Sequence, residues 1–133
     1  MTTRATGNFD LNWDEQPPYD KAEGATLAKV TVTKKFRGDL VGTSVAELIK
    51  AMTDVPDSAG YVAIERVTGT LHGREGSFVL QHNAIMDRGK GDLQIRIVPD
   101  SGTGELKGIS GTMHVDPSKG HFWTLDYSID ESA

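Results

Sequence analysis

An all-β domain that closes into a small antiparallel barrel is the fold class this sequence predicts, and three observations predict it. Apolar and polar residues alternate in segment after segment, glycine makes up 15 of 133 residues and is spread along the whole chain, and turn signals separate the alternating segments. Alternation marks half-buried strand because successive side chains point to opposite faces of a sheet. Dispersed glycine suits frequent tight turns better than a linker or a low-complexity tail. The length suits one domain, 1–133, large enough for a hydrophobic core without metal or disulfide staples.

In the first strand Phe9, Leu11 and Trp13 alternate with Asn8, Asp10, Asn12 and Asp14, and Pro17-Pro18 ends it by removing two amide donors. The second, around 25–36, places Ala28, Val30, Val32 and Phe36 on one face and Lys29, Thr31, Thr33 and Lys35 on the other. Lys34 is the exception, a cation on the apolar face. Gly38-Asp39 reads as a turn. From Tyr61 to Asp87 a hairpin is expected, and a two-residue turn at Gly73-Arg74 would set Tyr61 opposite Met86, Ala63 opposite Ala84, Glu65 opposite His82, Val67 opposite Leu80 and Gly69 opposite Phe78. That face is apolar except for its central pair. A sixth strand covers roughly 93–99 with Leu93, Ile95 and Ile97 inward, and the glycine-rich stretch SGTGELKG follows as a connection. The last hairpin, 109–115 and 121–129, gathers Ile109, Gly111, Met113, Val115, Trp123, Leu125, Tyr127 and Ile129 on its apolar face.

The segment Thr43 to Met52 divides the reading. Val45, Leu48, Ile49 and Met52 fall at helical spacing, and Ser44 with Glu47 fits a capping box, so local rules favour a short helix. Counted as a strand it completes eight strands, which a closed antiparallel barrel would use without exposed edges.

Composition narrows the function classes. With no cysteine, neither a disulfide framework, a thiolate metal site nor a cysteine nucleophile is available. A formal net charge of -5 disfavours general affinity for nucleic acid, and Lys34-Lys35 with Arg37 is too short a basic stretch to reverse it. The amino terminus lacks the apolar run of a signal peptide, and no apolar stretch approaches the length of a membrane span, so a cytoplasmic location is the default expectation.

Glu65 and His82 form the foremost candidate site. A carboxylate and an imidazole facing each other on an apolar wall favour each other's charged forms while burial opposes them, and such a pair can act as general acid or base near neutral pH. The plainer reading is that they satisfy each other inside the barrel, or that they face solvent in a slipped register. Lys34 either joins them or reaches to the barrel mouth. Trp13, Tyr61, Phe78, Leu80, Met113, Trp123 and Tyr127 are expected inward, either filling the core or lining a ligand pocket. The small inward positions Ala28, Ala63, Gly69, Ala84 and Gly111 leave room for a pocket. The stretch SGTGELKG lacks the phosphate-binding-loop pattern with its lysine and hydroxyl and reads as a structural turn. His114 and His121 fall on opposite faces and cannot converge on a metal, and Gly108-Ile109-Ser110-Gly111 has the wrong spacing for a serine-hydrolase elbow.

Taken together, GSFVLQH at 76–82, SGTGELKGISGTM at 101–113 and HFWTLDYSI at 121–129, with KKFRGDLVGTS at 34–44 and YVAIERVTGTLHGREGS at 61–77, resemble the DUF3224 family of bacterial proteins of unknown function over nearly the whole chain. That family is similar to the allene oxide cyclase-like barrel, an eight-stranded antiparallel fold shared with plant dirigent proteins. The resemblance implies that Thr43 to Met52 is a strand and that the barrel has a central cavity. It carries over no catalytic residue. The function expected is binding of a small, mostly apolar molecule in the lumen, with cofactor-free isomerisation or cyclisation as what the resemblance adds. The alternative is a fully packed barrel whose outer surface mediates self-association, as a homo-oligomer, or partner binding.

Overall fold

A computed structural model describes residues 1–132. The strands are β1 (Thr3–Glu15), β2 (Asp20–Ala22), β3 (Ala25–Gly38), β4 (Leu40–Thr53), β5 (Ala59–Leu71), β6 (Arg74–Asp87), β7 (Lys90–Ile97), β8 (Ile109–Asp116) and β9 (Phe122–Ile129), with single 3-10 turns at Gly104–Leu106 and Pro117–Lys119. They pair antiparallel in the order β1-β9-β8-β7-β6-β5-β4-β3, and β1 pairs in turn with β3, which closes an eight-stranded barrel. The short β2 is added to the first residues of β3, beyond the reach of β1.

The disputed segment is strand. Every residue from Leu40 to Met52 has a partner on β5, and Ser44, Ala46 and Leu48 are buried while Val45 and Ile49 face out. The residues that suggested a helix cap have other partners: Ser44 Oγ donates to Glu65, and Glu47 accepts from Thr31 Oγ1 on β3. Hydrogen-bonded neighbours on both edges outweigh the local preference of a ten-residue segment.

The β5–β6 hairpin corrects the expected register. Its two turn residues are His72 and Gly73, with Leu71 paired to Arg74, so Glu65 stands opposite Leu80 and His82 opposite Ala63. Both turn residues have positive φ, 46° and 80°, as the tight turn that matches strand twist demands. Placing Arg74 in that turn would have put a bulky side chain in the left-handed region in place of glycine. Histidine enters that region more readily than most residues. Because the slip is two residues, each side chain keeps its expected face.

The two ends of the barrel differ. At one end Gly42 and Gly69 are directly paired, and a Cβ on Gly42 would lie 2.2 Å from Thr68 O, so two backbones approach where no side chain fits. There Phe36, Leu40, Leu71, Phe78 and Leu106 belong to one continuous core with Met113, Trp123 and Tyr127. Leu106 comes from the glycine-rich connection. That connection lies along β6, where Thr103 N–H donates to Ser77 O and Val79 N–H donates to Ser101 Oγ. At the same end His72 N–H donates to Asp39 O, and His72 Nδ1 shares a 2.6 Å hydrogen bond with the Tyr127 hydroxyl, tying two hairpin turns to β9. Toward the other end the inward residues shrink to Ala46 and Ala63 among Val30, Val32 and Leu48, and the lumen opens. Gly69 and Gly111, expected to help make a pocket, do not line this open half.

Candidate functional site

The open half holds a cavity of about 190 Å³ with Trp13 and Leu93 at its mouth and Lys34, Ala63 and His82 deeper in its wall. Its existence follows from composition along the strands: Ala46 and Ala63 stand where larger side chains would meet. A larger recess of about 440 Å³ lies at the rim, beneath the β4–β5 turn, and shares Tyr61 and Leu93 with the inner cavity. The inner cavity is the candidate site, although it is the smaller, because only it reaches a buried ionic cluster.

That cluster is built by four adjacent strands, with Lys34 on β3, Ser44 on β4, Glu65 on β5 and His82 on β6. Glu65 on β5 pairs with Ala46 of β4 and Leu80 of β6, which places its carboxylate in the row between Lys34–Ser44–Val67 and Leu48–Ala63–His82. It is fully buried. Oε1 accepts from Lys34 Nζ at 3.2 Å and from His82 Nε2 at 2.7 Å, while Oε2 accepts from Ser44 Oγ at 2.5 Å. Burial by itself would raise the Glu65 carboxyl, but the His82 hydrogen bond, the Lys34 charge and the Ser44 hydroxyl outweigh it and hold the group down at about 2. Glu65 is therefore a fixed anion at neutral pH, too weakly basic to take up a proton, and its position orients His82. Burial raises the Tyr61 phenol, and the Glu65 charge adds to that effect.

Lys34 does not reach for the mouth. Its side chain is 9 % exposed, and Nζ also lies 4.7 Å from the centroid of the Phe9 ring. Such a cation over an aromatic face is favourable and holds the ammonium beside the cavity. His121 also stacks on the Phe9 ring, at 5.0 Å between centroids with an 11° interplanar angle.

Of the residues singled out in the sequence, Trp13, Lys34, Tyr61 and His82 line one cavity, with Glu65 directly behind Lys34 and His82. Phe78, Leu80, Met113, Trp123 and Tyr127 point inward too but lie in the packed core and do not line it. Trp13 is 48 % exposed at the mouth, where its Nε1–H donates to Glu15. His114 pairs with Thr124 on the outside. Ser44 was not foreseen in the cluster. Its position becomes readable once 43–52 is taken as strand, because alternation from Leu40 then turns Ser44 inward.

A family model described as a protein of unknown function, DUF3224, matches residues 5–127. The chain is also similar to a crystal structure of a protein of unknown function from that family from Shewanella oneidensis MR-1, at 42 % sequence identity and a TM-score of 0.92 over 98 % of each chain. No curated protein matches it.

Proposed function

The chain belongs to the DUF3224 family of proteins of unknown function, and from that premise we propose that its barrel binds a small, mostly apolar molecule in the open half of the lumen, with the Lys34–Glu65–His82 cluster at the polar end of the site. One observation carries this reading. His82 is held by Glu65 through Nε2 and at the same time lines the cavity. A pair kept only to satisfy itself would be closed over, whereas this imidazole borders an apolar cavity. An oriented imidazole beside a cation also suits cofactor-free isomerisation or cyclisation, the chemistry suggested by the likeness to allene oxide cyclase-type barrels.

The reading is tested with toluene, an uncharged probe of suitable size: an engineered apolar cavity of about 150 Å³ already admits benzene. Titration should shift the amide resonances of Ala46, Ala63 and His82 saturably, and Ala63→Met, which fills the space, should abolish the shifts. The absence of saturable shifts in the wild-type protein would remove the pocket.

A second reading rests on the outer wall, where Val45, Ile49, Val62 and Ile64 are each about half exposed and Ile49 pairs directly with Val62. These apolar residues, interleaved with Lys29, Glu47 and Arg66 on the same face, suit self-association.

A further inference from the structure

The inner cavity has a one-sided chemistry. No carboxylate lines it: among the described residues its ionisable lining consists of Lys34, Tyr61, His82 and His121. Glu65 is withheld from any occupant, since it is fully buried and its two oxygens already accept three hydrogen bonds. When neutral, His82 donates Nε2–H to this carboxylate, which leaves Nδ1 the unprotonated acceptor of a ring that lines the cavity. Lys34 uses one of its three N–H donors on the same oxygen and keeps the others. His82, through Nε2, and Lys34, through Nζ, therefore meet on one atom, Glu65 Oε1, and both side chains border a space of about 190 Å³. A six-membered ring fits that space, because benzene is held by an engineered cavity of about 150 Å³.

We propose that the cavity takes a small apolar carbonyl compound with an acidic C–H beside the carbonyl, and that His82 Nδ1 and Lys34 catalyse its isomerisation through an enolate. The inference rests on the pocket reading above and assigns its chemistry. In a β,γ-unsaturated ketone, the C–H bond between the carbonyl and the alkene breaks, its proton passes to Nδ1, and its electron pair moves onto the carbonyl oxygen. That oxygen accepts from Lys34. Return of the proton to the γ carbon restores the carbonyl and moves the double bond into conjugation. Atoms and charge balance, nothing is oxidised or reduced, and no co-reactant enters. The apolar wall around the enolate strengthens its attraction to Lys34.

The test uses cyclohex-3-en-1-one and follows its conversion to cyclohex-2-en-1-one by ultraviolet absorbance, with transfer of deuterium to the γ carbon from substrate labelled at the carbon between carbonyl and alkene as a second readout. The wild-type protein should accelerate conversion over buffer. His82→Gln and Lys34→Met should each lower the enzymatic rate by about 100-fold or more. Saturable toluene shifts in both variants show that fold and pocket survive. Toluene binding without conversion or deuterium transfer in the wild type overturns the proposal and leaves the pocket reading standing. Conversion unaltered in His82→Gln also overturns it, and failure to bind toluene removes both.

Discussion

His82 stands diagonally across from Glu65, its Nε2 2.7 Å from Oε1, while the residue directly opposite Glu65 is Leu80. Diagonal neighbours on paired strands remain within reach of long side chains. The offset has a consequence for the site. His82 lies in the row of Ala63 and Leu48, nearer the mouth, and Glu65 one row deeper. The imidazole thus bridges an anion behind the wall and a cavity in front of it.

Acid should reveal the buried anion. Glu65 falls from the ordinary 4.5 to about 2 in the folded chain, so its stabilisation is fully present above about 4.5 and is lost as pH falls toward 2. The contribution is roughly 3 kcal/mol, at about 1.4 kcal/mol for each tenfold change in proton affinity. Urea denaturation across that window should show stability falling with pH. Glu65→Gln should flatten this dependence and lower stability at pH 7 by about 3 kcal/mol, since it leaves Lys34 without its counter-charge. Equal slopes in both proteins would show that the carboxylate is not held as described.

The two tryptophans should separate the packed half from the open one. Trp123 is fully buried, donates Nε1–H to Asn8 O and lies edge-on to Phe36 at 6.1 Å between centroids. Trp123→Phe should cost about 2 kcal/mol or more through lost volume and an orphaned carbonyl. Trp13→Ala, at the exposed mouth, should cost under about 1 kcal/mol. Thermal or chemical denaturation compares them directly, and similar losses would contradict the asymmetry of the lumen.

The outer wall predicts an oligomer that charge would disperse. If Ile49 and Val62 seat a second copy of the chain, sedimentation velocity should show a dimer or larger species at micromolar concentration. The paired change Ile49→Lys with Val62→Lys should return a monomer with unchanged circular dichroism. A wild-type monomer across that range would remove the self-association reading.

Strand identity and face were legible in the sequence, because a side-chain period of two belongs to the backbone itself and needs no knowledge of neighbours. That alternation placed Glu65, His82 and Lys34 inward, and it held when the register proved two residues off, since such a slip changes the partner but not the face. Depth was not legible. Trp13 and Trp123 alternate inward alike, yet one stands at the mouth and the other in the core, because depth depends on strand tilt and stagger, which appear only when the barrel closes. The helical spacing of 43–52 yielded for a related reason: pairing with β3 and β5 brings together residues far apart in the chain. Alternation along single strands thus determined which residues face the lumen. Only the closed barrel decided which of them pack together, which line a cavity, and that Lys34, Ser44 and His82 meet on one buried carboxylate.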